Sequence, residues 1–190
     1  MADLTTYALA DGIAAITMDD GKVNALSPAM LGELSAAFDR ARDDEAVVLL
    51  TGRATTLSAG FDLRAPAEEW QGMVGAGARL AEKILSHPLP VVAACNGNAI
   101  AMGAFLLLSC DYRVGAAGQF GIGLNEAVIG MTLPWFGIEL ARHRLTPPYF
   151  DRCTITGVIL DPAEAQAQGS STAWSRPTRS RAPRARPPRR

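Results

Sequence analysis

Apolar residues recur along the chain at spacings that predict strands and helices in alternation. Residues 5–21 hold two short apolar runs on either side of Asp11-Gly12, a residue pair that favours a hairpin turn. Ser27 followed by Pro28 is typical of a helix N-cap with proline at the first helical position. Apolar residues then return every three or four positions, so a helix is predicted to follow the hairpin.

Two later runs, 46–52 and 91–97, are largely apolar and end in glycine, which is typical of strands buried on both faces. Residues 111–115 predict a third strand. Strands that alternate with helices imply βαβ units with right-handed crossovers. The helices are predicted at 67–86, 102–109, 134–144 and 147–153.

The connections between these elements carry the candidate ligand contacts. Residues 53–63 are predicted as a loop, and a glycine turn after the strand at 91–97 is predicted to lead into the next helix. Small residues join a strand to a helix at 58–62 and again at 96–103. Backbone N–H groups at such junctions are placed where a ligand could meet them.

Charge is divided unevenly along the chain. The 190 residues carry a formal charge of −1, yet seven of the 18 basic residues are arginines within 176–190. The rest of the chain therefore has 11 basic residues against 19 acidic ones, a balance of −8. From about Gly169 the chain contains little but Arg, Pro, Ser, Ala and Thr. We predict a core domain over 1–168 and a disordered tail over 169–190.

Two origins are open for this tail. An Arg-rich segment can bind nucleic acid or an anionic surface. A shifted reading frame in GC-rich DNA also produces runs of Arg, Pro, Ala and Ser. We favour the second origin, and no nucleic-acid partner is expected.

Composition argues against several classes of function. The three cysteines are an odd number without paired spacing, which fits a reducing cytoplasm better than a disulfide framework. Residues 91–110 have about the length of a membrane span but are broken by Asn-Gly-Asn, and the start lacks a signal-peptide pattern. His87 and His143 have no partners at metal-ligand spacing, and no dinucleotide or ATP motif is present. We expect a cytoplasmic protein without a metal or a membrane partner.

Four stretches together resemble the crotonase superfamily, the enoyl-CoA hydratase/isomerase family. They are "GKVNALSPAMLGEL", "LSAGFDL", "PVVAACNGNAIAMGAFLLLSCDYRV" and "FGIGLNEAVIGMTLP", and the resemblance covers about residues 10–168. It implies an α/β fold of crotonase type, a spiral of ββα units whose helices wrap two roughly perpendicular sheets.

The resemblance implies reactions that pass through a thioester enolate. Its developing oxygen charge would be met by the backbone N–H groups of Phe61 and Met102, and losing one such donor costs about 3–4 kcal/mol in comparable sites. Met102 stands where the family usually has glycine. Its side chain is therefore expected to crowd the oxyanion hole in part.

The resemblance also implies two loops that cradle coenzyme A. Lys22, Val23 and Ala25 would line one side of the nucleotide. Lys22 could face a phosphate or be a solvated turn lysine, and its sequence context leaves both open. Coenzyme A is part of the substrate, so no separate cofactor is expected. The other side would be lined by Ser58, Ala59, Gly60, Asp62 and Leu63.

Glu126 is the candidate acid/base residue. Hydratases of the family use two glutamates to hold water, and the first of these positions is Phe105 here, whereas the second is retained as Glu126. This combination resembles the 3,2-trans-enoyl-CoA isomerases that work with one glutamate. Burial should raise the pKa of Glu126 toward the working pH. Its expected apolar neighbours are Ile122, Leu124, Val128 and Trp135. Without the resemblance, Glu126 would be interpreted as an acid at the start of a helix.

The predicted activity is isomerisation of 3-enoyl-CoA to 2-enoyl-CoA. The alternatives are an enoyl-CoA hydratase of fatty-acid β-oxidation and an acyl-CoA-binding protein without catalysis. An acyl-CoA thioester is the expected partner. The family also implies a homo-trimer or hexamer, but the Arg/Pro tail replaces helices that close the acyl pocket and build trimers. Apolar surface is therefore expected to be exposed.

Overall fold

The computed structural model describes residues 3–169 and 173–175 of the chain. In this part the chain forms ten strands and six α-helices. The strands are β1 (Thr5–Ala10), β2 (Ile13–Met18), β3 (Val47–Thr51), β4 (Thr56–Ser58), β5 (Val91–Cys95), β6 (Asn98–Ile100), β7 (Tyr112–Ala116), β8 (Ile122–Gly123), β9 (Ile159–Leu160) and β10 (Ala173–Ser175). The helices are α1 (Pro28–Asp43), α2 (Trp70–Leu85), α3 (Met102–Ser109), α4 (Trp135–Arg144), α5 (Pro147–Thr156) and α6 (Pro162–Ala167). Short 3₁₀ helices lie at Ala67–Glu69 and Glu126–Ile129.

The described strands form two sheets. The larger has the order β1-β2-β3-β5-β7-β10, antiparallel between β1 and β2 and parallel elsewhere. The smaller has the order β4-β6-β8-β9, parallel apart from the β8–β9 pair. From β3 to β8 successive strands alternate between the two sheets, and α2 and α3 follow the pairs β3–β4 and β5–β6. The predicted α/β spiral of ββα units is confirmed.

Residues 5–43 fold as their pattern predicts. Asp11 and Gly12 both have positive φ, the conformation that a two-residue hairpin turn requires. At the start of α1, Ser27 Oγ accepts a hydrogen bond from the Met30 N–H at 3.2 Å, and Pro28 takes the first helical position. The hairpin and the helix after it are therefore both confirmed.

The short strands of the smaller sheet are missing from the sequence prediction. Residues 53–63 were expected to form a loop but contain β4, and the turn before α3 contains β6. Strands of two or three residues are too short to show a two-residue hydrophobic period. Such strands form only because they pair with one another, and this pairing exists only in the folded chain.

The predicted disorder of 169–190 is wrong at three residues. Ala173–Ser175 form β10, which pairs in parallel with β7. The edge of a sheet presents unpaired N–H and C=O groups that can pair with any extended segment, whatever its side chains. The other positions of the predicted tail, 170–172 and 176–190, lie outside the described residues.

Helix α3 lies at the centre of the core. All eight of its residues are buried, and it contacts α2, α4, β4 and β6. A helix that is apolar on all sides has no amphipathic face and must be enclosed by its neighbours. Within the ranges given above, no helix is long and apolar enough to cross a membrane.

Two glycines in helices test how tightly α3 is enclosed. A Cβ at Gly103 would clash with the carbonyl oxygen of Ser58, whereas one at Gly32 of α1 would meet no atom within 4 Å. We expect Gly103→Ala to lower the free energy of unfolding by about 1–3 kcal/mol. Gly32→Ala should raise it by about 0.5–1 kcal/mol, since alanine favours a helix. Denaturant titration measures both values, and equal effects at the two glycines would contradict this packing.

Candidate active site

Asn24 holds the first of the two loops in place. Its side chain is fully buried, and Nδ2 donates hydrogen bonds to Met18 O at 2.9 Å and to Leu57 O at 3.0 Å. Its φ is +53°, a conformation that asparagine tolerates better than most residues. The Asp20 carboxylate accepts hydrogen bonds from the N–H groups of Asn24 and Ala25. The loop at 20–25 is therefore fixed by two polar side chains.

Ser58 joins this loop to the second one. Its hydroxyl donates to Asn24 O at 2.7 Å and accepts from the Gly60 N–H at 3.1 Å. The Ala59 N–H donates to Val23 O at 3.0 Å. The two loops predicted to cradle coenzyme A thus lie side by side. Ser58 is fully buried, so its role here is to hold the loops together.

The other predicted coenzyme A residues divide by exposure. Lys22, Val23, Ala59 and Leu63 are exposed, whereas Ala25 is half-buried. A ligand lying along the two loops could therefore reach the exposed four.

Asp62 forms an ion pair with Arg64. Its carboxylate accepts from Arg64 Nε at 2.8 Å and from a terminal nitrogen of the same guanidinium at 2.9 Å. The hydrogen bonds from Arg64 hold the pKa of Asp62 below its usual value. Because it is already paired, Asp62 is a weaker candidate for a contact with coenzyme A.

Gly60 brings the two predicted oxyanion donors together. Its φ is +93°, and a Cβ there would lie 2.9 Å from Ala101 Cβ and 3.3 Å from Met102 N. Glycine thus allows the turn after β4 to approach the start of α3. Neither the Phe61 N–H nor the Met102 N–H has a hydrogen-bond acceptor in the part of the chain that is described. The Met102 N–H is also the first of α3, where the helix dipole favours negative charge.

Ala101 stands just before α3 in a conformation that usually requires glycine. Its φ and ψ are +52° and −122°. An L-residue in such a region costs about 1–3 kcal/mol and persists only where the surrounding structure holds it. Strain is therefore stored beside the Met102 N–H.

The Met102 side chain does not crowd the oxyanion hole. It is fully buried, and its methyl group lies beside Gly77 of α2, 3.3 Å from where a Cβ on that glycine would be. The Phe61 ring packs against the same glycine. The flexible Met102 side chain turns into the core, which corrects the expectation of a crowded hole.

A cavity of about 100 Å³ lies beside these donors. Its lining combines the turn after β4, the start of α2, the residue before α3 and the segment at 125–131. The lining residues are Ala59, Phe61, Leu63, Trp70, Ala101, Asn125, Glu126, Ile129 and Met131. The two polar ones, Asn125 and Glu126, are adjacent in the sequence.

Glu126 opens the 3₁₀ helix and is only 6% exposed. Its Oε2 atom is buried without a hydrogen-bond partner among the described residues. Burial raises the pKa of Glu126 above the usual glutamate value, and a hydrogen bond from its own backbone N–H opposes this rise in part. The carboxyl group therefore has the character of a base that can take up and release a proton.

Four expected neighbours of Glu126 are not in this cavity. Ile122 and Leu124 are buried elsewhere, and Val128 and Trp135 are 66% and 78% exposed. Only Val128 shares the 3₁₀ helix with Glu126, and the other three lie on β8, just before that helix and on α4, so nearness in sequence did not predict the lining. The apolar wall is formed instead by Leu63, which was predicted as a coenzyme A contact, and by three residues that the sequence did not single out: Trp70, Ile129 and Met131.

Phe105 also lies outside the cavity. Its ring packs closely against Gly137 and lies 5.7 Å from the Phe136 ring, both from the start of α4. The position that the resemblance assigns to the first of the two hydratase glutamates is therefore part of the core here. Within the described ranges, no group of three or more His, Cys, Asp or Glu residues could hold a metal ion.

Comparison with known proteins identifies the class. The family model for enoyl-CoA hydratase/isomerase matches residues 9–172. The chain belongs to the enoyl-CoA hydratase/isomerase family. A solved member of that family from Pseudomonas syringae is 47% identical with a TM-score of 0.89, over 92% of this chain and 77% of that one. A protein from Mycobacterium tuberculosis, described as an enoyl-CoA isomerase in one structure and as a probable enoyl-CoA hydratase in another, is 42% identical in both. The first of these structures has a TM-score of 0.89, over 93% of this chain and 79% of that one.

Curated relatives carry both isomerase and hydratase names. The human mitochondrial enoyl-CoA delta isomerase 1 is 30% identical over 83% of this chain and 55% of its own length. A putative enoyl-CoA hydratase of Thermus thermophilus is 34% identical over 80% and 62%. The chain thus spans roughly half to three fifths of the length of these two relatives.

The buried charge on Glu126 should appear in the stability of the protein. A raised pKa means that the folded state binds the proton more tightly than the unfolded one. The free energy of unfolding should therefore fall as pH rises from the ordinary glutamate pKa through the raised one. In Glu126→Gln this part of the decline should be absent.

Denaturant titrations across this pH window measure the difference between the variant and the unsubstituted protein. The matched control is Glu139→Gln, because the Glu139 side chain is half exposed on α4. It should keep the decline. A decline that survives Glu126→Gln unchanged would contradict the burial of this carboxylate.

Proposed function

We propose that the chain is an enoyl-CoA isomerase that converts 3-enoyl-CoA to 2-enoyl-CoA with Glu126 as its single acid/base. The observation that carries this proposal is the cavity itself. It combines one buried, unpartnered carboxylate with a backbone turn whose Phe61 and Met102 N–H groups lack acceptors among the described residues. No second Asp or Glu is among the residues that line it.

The reaction needs no more than these groups. The Glu126 carboxylate takes a proton from the α carbon of the substrate. The electrons left behind spread over the double bond and the thioester oxygen, whose charge the Phe61 and Met102 N–H groups stabilise. Glu126 then gives a proton to the γ carbon, which leaves the double bond between the α and β carbons.

Coenzyme A would enter as part of the substrate, and no separate cofactor is proposed. The two loops that Asn24 and Ser58 hold together would provide its surface, and the exposed Val23 and Leu63 would lie beside the nucleotide. Lys22 is exposed at the tip of the first loop, where its ammonium group would face a phosphate.

Hydration of 2-enoyl-CoA is the second candidate, since relatives named as hydratases are similar over much of this chain. It is placed second because a carboxylate pair is missing from the cavity. Assembly into trimers or hexamers and a cytoplasmic location stay predictions. Association is supported by large apolar side chains that are exposed, namely Val128, Trp135 and Ile155.

Turnover of two substrates separates these candidates. Purified protein is incubated with 3-hexenoyl-CoA and, separately, with crotonyl-CoA. Conjugated thioester should form from the first at a rate well above any loss of the second. Glu126→Gln should lower kcat for isomerisation by about 10²–10⁴-fold, with little change in acyl-CoA affinity. Glu139→Gln is the control and should keep full turnover; hydration that outpaces isomerisation would overturn the assignment.

The pH profile of isomerisation is a separate prediction. Only the ionised form of Glu126 can remove the α proton, so kcat should fall as pH decreases through its pKa. Burial raises that pKa, so the fall should begin above the range of an ordinary glutamate. Initial rates over a range of pH measure the inflection, and an inflection at or below the ordinary value would contradict a buried base.

A further inference from the structure

Two adjacent residues that line the cavity each have a buried oxygen atom without a hydrogen-bond partner among the described residues. These atoms are Oδ1 of Asn125 and Oε2 of Glu126, and neither has a donor within the described part of the chain. Both residues line the same cavity. Buried polar atoms are nearly always hydrogen-bonded to protein or to ordered water, so two orphans side by side call for a physical explanation.

The two atoms cannot satisfy each other. An amide oxygen and a carboxylate oxygen are both acceptors, so each of them needs a donor from another group. The other lining side chains are apolar, apart from the indole of Trp70. The acyl part of an enoyl thioester carries no N–H or O–H group. Neither the protein wall nor the substrate therefore supplies the two donors that these oxygens require.

Water has the chemistry that fits. One molecule donates two hydrogen bonds, and it also accepts, so it satisfies the Asn125 amide whichever way its oxygen and nitrogen are turned. The cavity of about 100 Å³ exceeds the roughly 30 Å³ that a water occupies in the liquid. An acyl chain that displaced this water would leave both acceptors unsatisfied, which disfavours displacement.

We propose that Asn125 Oδ1 and Glu126 Oε2 together hold one water molecule, which makes Asn125 a positioning residue and opens the transferred proton to exchange with solvent. This inference rests on the proposed isomerase function for its catalytic consequence. In that reaction Glu126 becomes a carboxylic acid when it takes the α proton. The acid gives that proton to the water and receives another from it, so the carboxyl group is unchanged and the γ carbon receives a proton of solvent origin.

A crystal structure of the protein tests the water directly. We expect ordered density within hydrogen-bond distance of both Asn125 Oδ1 and Glu126 Oε2. The Asn125→Leu protein keeps a side chain of similar size without polar atoms, and the density should be lost there. A dry cavity in the unsubstituted protein overturns the inference, whatever the enzyme assays give.

Isomerisation in deuterium oxide tests the exchange. 3-Hexenoyl-CoA is converted in deuterium oxide, and the reaction is stopped early. The deuterium content of the product is then measured by mass spectrometry. Most of the product from the unsubstituted protein should carry one deuterium. In Asn125→Leu the deuterated share of the product should fall by about fivefold or more. A merely structural residue would alter the rate and leave the isotope content alone.

Asn96 is the matched control. Its Oδ1 is also buried without a partner in the described chain, but it lies outside the cavity. Asn96→Leu should cost stability and leave the deuterium content as high as before. If Asn125→Leu does not fold, Asn125→Ala takes its place. Product without deuterium from the unsubstituted protein overturns the exchange on its own.

The two proposals fail in different ways. If no conjugated thioester forms, the proposed isomerase function is wrong. The crystal structure alone then shows whether the water is present. Turnover that retains the substrate's own proton supports the isomerase function and overturns the exchange through Asn125.

Discussion

The close approach of two backbone segments is the constraint on which the site depends. The turn after β4 and the start of α3 touch through Gly60 and Gly103, where a side chain would collide with Ala101 or with Ser58 O. This contact sets the relative position of the Phe61 and Met102 N–H groups. Backbone donors held in this way need no rearrangement when charge develops on a bound oxygen.

The polar side chains of the site fall into two groups that differ in their hydrogen bonding. Asn24 and Ser58 are buried and fully hydrogen-bonded, so they fix the loops. Asn125 and Glu126 line the cavity, and each has a buried oxygen atom with no donor among the described residues. The first pair adds stability, whereas the second costs stability and keeps its hydrogen-bonding capacity for what enters the cavity. Such a division is typical of active sites, which retain strain or unpaired groups for their function.

The sequence predicted those parts of the fold that local chemistry determines. The Asp11-Gly12 turn and the Ser27 cap were predictable because each depends on residues next to it. The smaller sheet was not, since its strands are too short to carry a pattern. For the site, the resemblance indicated Glu126, Phe61 and Met102. The lining could not be predicted in the same way, because Trp70 and Met131 meet there only after folding.

The proposed oxyanion donors and the proposed base differ in how firmly the fold holds them. Met102 begins a helix whose every residue is buried, so a change there disturbs the core. Glu126 begins a short 3₁₀ helix, and the four residues after it, 127–130, are exposed. The base can therefore be exchanged or moved during evolution without unfolding the protein, while the donors are inherited with the core. A scaffold of this kind can acquire new reactions on thioesters by substitutions in one surface segment.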